Sequence, residues 1–263
     1  MSQYIEDRRE AYIQTIRLNR PDKKNALLPE MYKAIAEALQ SAQSDKNVRV
    51  TVITGAGDSF TAGNDMGDFA AAGNAPLGEK SIVQGPAPFT GFLKALTTTS
   101  KPLIAAVNGL AIGIGTTLLP HCDLVYAADN ARFSMPFVNL GIVPEAGSSM
   151  LMPRLMGHQR AMELFLLADP FDADTAKRSG LVNAIFPAGQ LMKEVMAIAA
   201  RLAAKPPGAL RETKRLVREH GALLDNAIRD EGRTGEAQLR TPESREAIKA
   251  FMERRPADFS QFD

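Results

Sequence analysis

Short apolar runs rich in Val and Ile recur along the first two thirds of the chain, at Ala11–Leu18, Val48–Thr54, Pro102–Asn108, Cys122–Ala128 and Leu181–Phe186. Runs of this length, bounded by Gly, Pro, Asn or Asp, predict strands. Between them the apolar spacing lengthens. Met31, Ile35, Leu39 and Ala42 fall at i, i+4, i+8 and i+11, one stripe of a helix over residues 29–43 that starts near Pro29. Residues 81–96 and 161–168 carry weaker versions of the same pattern. Strands alternating with helices predict an α/β body over residues 1–190.

From Leu191 the strand signals stop and helical patterns follow one another to residue 263, punctuated by Pro206-Pro207, Gly221 and Thr241-Pro242. Their stripes, Leu210 with Val217 and then Leu223, Leu224, Ala227 and Ile228, need a surface to bury against. That surface is either the α/β body or another subunit, so self-association is expected from the pattern itself. No fixed-period repeat is visible, and the one loosely biased segment is the Ala/Gly-rich stretch Ala70–Gly78.

Charge narrows the partners. Among 263 residues, 31 Lys and Arg stand against 30 Asp and Glu, a formal net charge of +1. That removes the basic excess of a dedicated binder of nucleic acid or of anionic membranes, and points to a small molecule. A single cysteine, Cys122, excludes an intramolecular disulfide framework and a Cys-rich zinc module. The three histidines, His121, His158 and His220, show no metal-ligand spacing. Apolar stretches such as Pro102–Ala106 and Leu164–Ala168 fall far short of the ~20 residues that cross a bilayer. The mixed-charge N-terminus lacks the apolar core of a targeting segment, and the C-terminal Gln261-Phe262-Asp263 is not a peroxisomal address. A cytoplasmic location is the expectation.

Three loops contain the candidate chemistry. Gly55 to Asp65 is a glycine-studded segment leaving a strand, where small residues let a ligand approach backbone N–H groups. It is not a phosphate-binding P-loop, because no Gly-Lys-Ser/Thr follows. Asn108 to Leu119 runs from a strand through Gly109, Gly113 and Gly115 into a helix start, whose first N–H groups lack intrahelical partners and can stabilise an oxyanion. Leu140 to Ser149 holds a lone carboxylate, Glu145, after Pro144 and among apolar residues. Desolvation raises the pKa of such a group and suits it to general-base work. Each loop taken singly also has an ordinary explanation: a surface turn, a packing turn, a solvated glutamate. His121, at a helix-to-strand corner, and Cys122 fit structural roles, and Gly147-Ser148-Ser149-Met150 is not a nucleophile elbow.

The loops occur in an order that resembles the crotonase superfamily, also called the enoyl-CoA hydratase/isomerase family. The matching residues are Asn19-Arg20-Pro21 with Asn25-Ala26-Leu27, Phe60 to Asp65, Lys101 to Gly109, Cys122-Asp123-Leu124 and Gly180-Leu181-Val182. The likeness covers most of residues 12–187 and weakens in the helical tail. It implies a spiral of strand-strand-helix turns, a C-terminal helical trimerisation region over 191–263, and acyl-coenzyme A thioester substrates bound by the core. It also implies a homotrimer or dimer of trimers, no metal, and no cofactor beyond the coenzyme A of the substrate itself.

Carried over residue by residue, the resemblance places the thioester oxygen between the backbone N–H groups of Asn64 and Ile114. Ala62, Gly63, Asn64, Asp65 and Met66 then line the coenzyme A side with Ala26 and Leu27 beside them, and Lys214 is a candidate for the nucleotide phosphates, though a solvated helix face explains it equally. Phe89, Phe92, Leu93 and Phe137 suit an acyl pocket or the core alike. A typical hydratase of this family has glutamates where this chain has Thr117 and Phe137, and the middle glycine of the family's triplet is replaced by Ile114, which keeps its N–H. Glu145, with Gly63-Asn64-Asp65 and Gly113-Ile114, resembles the Δ3,Δ2-enoyl-CoA isomerase branch, which uses a glutamate at this position as the catalytic base. Hydration, ring isomerisation, dehalogenation, or an acyl-CoA- or RNA-binding relative without catalysis are the alternatives that the family leaves open. The basic stretch Lys205, Arg211, Lys214, Arg215 and Arg218 is what an RNA binder would use.

Overall fold

The computed structural model describes residues 2–67, 87–218 and 221–262. Its larger sheet has six strands: β1 (Ile5–Glu10), β2 (Ile13–Leu18), β3 (Val50–Gly55), β5 (Leu103–Val107), β7 (Leu124–Ala128) and β10 (Ala184–Phe186), in the spatial order β1-β2-β3-β5-β7-β10. All neighbours run parallel except β1 and β2. The second sheet is formed by β4 (Ser59–Thr61), β6 (Leu110–Ile112), β8 (Arg132–Ser134) and β9 (Phe171–Asp172), with the first three parallel. Each turn of the spiral therefore lays one strand in the large sheet and the next in the small one.

The helices among the described residues are α1 (Pro29–Ser44), α2 (Ala87–Thr98), α3 (Ile114–Thr117), α4 (Ser148–Met156), α5 (His158–Leu166), α6 (Ala173–Arg178), α7 (Leu191–Ala203), α8 (Pro207–Val217), α9 (Gly221–Leu239) and α10 (Pro242–Glu253). Val50, Val52, Ile104, Ala106 and Tyr126 point from the large sheet into a cluster with Leu191, Val195 and Ala199 of α7. The alternate positions Ile53, Leu103, Ala105 and Val107 join the main core with Met31, Ile35 and Leu39 of α1 and Phe92 and Leu96 of α2. Burial on both faces explains why these parallel strands read as continuous apolar runs instead of alternating ones.

The run expected from Ala11 begins instead at Ile13. Ala11 (φ 48°) and Tyr12 (φ 65°) form the tight turn of a hairpin with β1. Two positive φ values in a two-residue loop match the right-handed twist of the flanking strands. Strand β1, Ile-Glu-Asp-Arg-Arg-Glu, escapes a hydrophobic pattern because it is a sheet edge, with Arg8, Arg9 and Glu10 exposed. The small-sheet strands are two or three residues long, too short to show a period. Of the helix expected over 81–96, residues 81–86 lie outside the described residues, and the remainder is α2. The helix expected at 161–168 is α5, which begins three residues earlier at His158. Helix α7 covers a face of the large sheet, whereas α8 and α9 leave Leu216, Val217 and Leu223 exposed. No helix among the described residues is long and apolar enough to cross a membrane.

Candidate active site

The three parallel strands of the small sheet deliver their following loops to one edge, and those loops line a cavity of about 660 Å³. Ala62, Gly63, Asn64 and Met66 come from the loop after β4, Gly113 and Ile114 from the turn between β6 and α3, and Phe137, Ile142, Val143 and Glu145 from the segment after β8. Ala26 completes this side.

Local sequence dictates the shape of the first two loops. Gly63 has φ 88°, and a Cβ there would sit 2.8 Å from the Ile112 carbonyl oxygen, so only glycine fits this approach of the two loops. Gly63 N–H donates to Thr61 Oγ1 at 3.1 Å, and the Thr61 hydroxyl donates to Asn25 O at 2.7 Å. Leu27 pairs as a short parallel bridge with Asn64: Leu27 N–H donates to Gly63 O at 2.8 Å and Asp65 N–H to Leu27 O at 3.0 Å. That pattern leaves the Asn64 N–H pointing away from the bridge. Gly113, at φ 56° and ψ −118°, turns the chain into α3, so Ile114 is the first helical residue. Its N–H is one of those a helix start leaves without an internal acceptor. Among the described residues neither the Asn64 nor the Ile114 N–H has a protein acceptor.

Glu145 is 8% exposed, and its Oε1 has no hydrogen-bond partner among the described residues. Burial, reinforced by the charge of Glu231, pushes its carboxyl up to about 8. Tyr32 of α1 is buried nearby; its phenol is raised well above the ordinary range by burial and then by Glu145, and its hydroxyl donates to Asn64 Oδ1 at 2.5 Å. His121, expected to be structural, is held by burial at about 4 and contacts the Ala146 carbonyl oxygen through Nε2 at 2.7 Å. It is a neutral donor to the loop backbone.

Of the residues expected at the site, Ala26, Ala62, Gly63, Asn64, Met66, Ile114, Phe137 and Glu145 share the cavity. Leu27 and Asp65 do not line it. Leu27 is buried in the core, and Asp65 pairs with Arg20 at 2.7 Å, an ion pair that ties the two loops together. Lys214, the candidate for the nucleotide phosphates, does not line this cavity. Its Nζ donates to Asp123 Oδ2 and Lys101 O, both at 2.6 Å, and burial lowers it to about 8. Phe89 and Phe92 pack around the Tyr32 ring, and Leu93 joins the same core. Thr117 is fully buried, with its hydroxyl turned back to Gly113 O at 3.3 Å.

The tail supplies residues that no motif indicated. Gly235 of α9, Ala247, Ala250 and Phe251 of α10, and Arg255 line the same cavity. Small residues on an amphipathic helix give no sign in sequence of which surface they will meet. No three His, Cys, Asp or Glu side chains gather in a way that could hold a metal among the described residues.

A family model described as enoyl-CoA hydratase/isomerase matches residues 8–262. The chain belongs to the enoyl-CoA hydratase/isomerase family. Enoyl-CoA delta isomerase 2 of Rattus norvegicus is 38% identical over 248 residues, 94% of this chain and 63% of that protein, so the chain spans somewhat less than two thirds of that relative. The 2,3-dehydroadipyl-CoA hydratase of Escherichia coli (strain K12) is 32% identical over 260 residues, 98% of this chain and 99% of that protein. Among solved structures, an enoyl-CoA hydratase/isomerase from Pseudoalteromonas atlantica T6c superposes with a TM-score of 0.90 at 36% identity, covering 98% of this chain and 100% of that one. The mixed α/β spiral with a helical C-terminal region is thus the fold of this family, as the order of sequence motifs implied.

Proposed function

We propose that this member of the family isomerises a 3-enoyl-CoA to the 2-enoyl-CoA. The observation that carries the proposal is that Glu145 is the one carboxylate among the described residues lining a cavity that also holds the unpaired N–H groups of Asn64 and Ile114. The C2 protons of a 3-enoyl thioester are acidified by the carbonyl and by the adjacent alkene. Glu145 takes one of them, the electron pair delocalises into a dienolate, and the two N–H groups hold the oxygen that becomes negative. The protonated Glu145 returns the proton at C4, so the double bond moves from C3–C4 to C2–C3 and no atom is gained or lost. Coenzyme A enters as part of the substrate, and the scheme needs no resident metal or nicotinamide.

Hydration would require carboxylates to activate water. The positions where a typical hydratase has them are Thr117, buried away from the cavity, and Phe137, which makes the cavity drier. The protein incubated with a 3-enoyl-CoA should therefore yield the 2-enoyl-CoA, and incubated with a 2-enoyl-CoA should yield little 3-hydroxyacyl-CoA. Efficient hydroxyacyl product would favour instead the reaction named for the Escherichia coli relative.

The assembly is proposed to be a trimer or a multiple of one, supported by the exposed apolar residues Leu216, Val217 and Leu223 on the tail helices. Light scattering at micromolar concentration should give a mass of three chains or six; a stable monomer would overturn the proposal.

A further inference from the structure

The backbone beside Glu145 is held in an uncommon conformation. Ala146 (φ 61°) and Gly147 (φ 71°) are both left-handed, and α4 starts at the next residue. A non-glycine residue in that region carries a cost of order 1–3 kcal/mol and persists only where its surroundings over-determine it. Two buried side chains do so. His121 Nε2 holds the Ala146 carbonyl at 2.7 Å, as described above. On the other side, Glu231 of α9, 84 residues downstream, accepts from Gly147 N–H at 2.5 Å through Oε2 and from Ser149 N–H at 2.8 Å through Oε1. One carboxylate therefore bridges the turn and the first N–H groups of α4, where a negative charge is also favoured by the helix dipole.

We propose that Glu231 is a positioning residue for Glu145: its carboxylate, by accepting from Gly147 and Ser149 N–H, locks the Glu145 loop and sets a second buried carboxyl against the reacting one. This rests on the reading of Glu145 as the proton carrier. Glu231 is 7% exposed and accepts two backbone N–H bonds, whereas Glu145 Oε1 accepts none. Of two neighbouring buried carboxylates, the one with donors carries the negative charge more readily, and the other is left protonated over a wider pH range. Burial raises both; in Glu231 the Ser149 side chain and then the two N–H bonds counter that rise, and in Glu145 the charge of Glu231 adds to it.

Among the described residues, the remaining groups around Glu145 do not offset this. Tyr32 of α1 is a neutral phenol and His121 a neutral imidazole. Arg154, the charged residue of α4, is exposed and donates to Met150 O. Of the cations lining the cavity, Arg132 is exposed, and Arg255 is paired with Glu246 and Glu253. A tail helix that takes no motif from the core thus sets both the place and the proton affinity of the reacting carboxyl, an arrangement suited to a group that must give its proton back at C4.

The test is the titration of Glu145, followed by NMR of ¹³C-carboxyl-labelled glutamate with the signal assigned by its loss in Glu145→Gln. Glu231→Gln removes the charge and one acceptor while keeping the shape. It should move the Glu145 titration and the acid limb of the kcat/KM profile to lower pH by about one unit, and lower kcat about tenfold with KM little changed, because the loop loses one of its anchors. A folded Glu231→Gln protein with an unmoved titration overturns the proposal. Should that variant fail to fold, Glu231→Asp keeps the charge with a shorter reach; the titration should stay in place while kcat falls about tenfold, and an unchanged kcat overturns it. If the wild type does not isomerise 3-enoyl-CoA but Glu231→Gln still moves the titration, the positioning role stands and the reaction proposed above fails.

Discussion

Glu145→Gln is expected to lower isomerisation of 3-enoyl-CoA by at least about 10²-fold, the ordinary effect of removing a positioned base, while thioester binding persists. The amide keeps the size and burial of the side chain but can neither take the C2 proton nor return it at C4. In the wild type, with the Glu145 carboxyl pushed up to about 8, kcat/KM should rise as pH increases toward that value, because only the deprotonated form can start the reaction. In deuterated water, partial retention of the substrate's C2 hydrogen at C4 would mark a single shuttling carboxyl. Undiminished turnover by Glu145→Gln, or a rate flat between pH 6 and 9, would remove Glu145 from its role.

The same variant should be more stable than the wild type, and increasingly so as pH rises. A carboxyl whose folded pKa lies above its ordinary value favours the folded state fully at pH below that ordinary value and loses this contribution as pH climbs through about 8. For Glu145 this amounts to on the order of 3 kcal/mol between acid and pH 7. Glutamine has no such dependence, so the Tm difference between variant and wild type should widen from pH 5 to pH 8.5. Stability and turnover are thus expected to move in opposite directions at one residue, as at a group kept for chemistry despite the cost of burying it.

The second large effect is expected at Ile114. As the first residue of α3 its N–H has no helical acceptor, and proline is tolerated at that position because its fixed φ suits a helix start. Ile114→Pro deletes the proposed oxyanion donor and should lower kcat by roughly 10²–10³-fold. Ile114→Ala, which trims the same fully buried side chain but keeps the N–H, should cost stability with a much smaller loss of turnover. Asn64→Ala likewise keeps its backbone donor and, among the described residues, loses only the bond from Tyr32, so it should fall well short of Glu145→Gln. Equal losses for Ile114→Pro and Ile114→Ala would show that packing, not the N–H group, matters there.

Much of this was legible in the residues themselves. The parallel strands carry apolar side chains on both faces because both faces are covered, so Val48–Thr54, Pro102–Asn108 and Cys122–Ala128 announce themselves without any long-range information. Glycines such as Gly63 and Gly113 mark the places where the chain adopts conformations closed to other residues, and those are the places where backbone N–H groups face a cavity. Glu145 stood out because a carboxyl amid apolar neighbours along the chain tends to be desolvated.

Tertiary structure decided the rest, because it depends on contacts between residues far apart in the chain. Strand β1 is an edge, so its charged sequence carries no burial pattern. Lys214 is a surface cation by sequence, yet α8 packs so that its ammonium is committed to Asp123 and the Lys101 carbonyl. His121 has the chemistry of a base until the fold buries it against Ala146 O. Glu231 looks like any acidic residue of an amphipathic helix, and only the return of α9 over the start of α4 makes it the clamp on the Glu145 loop. Local sequence determines which backbone conformations and which burial patterns a segment can accept, whereas the partner of a buried charge is chosen by which helix the fold lays beside it.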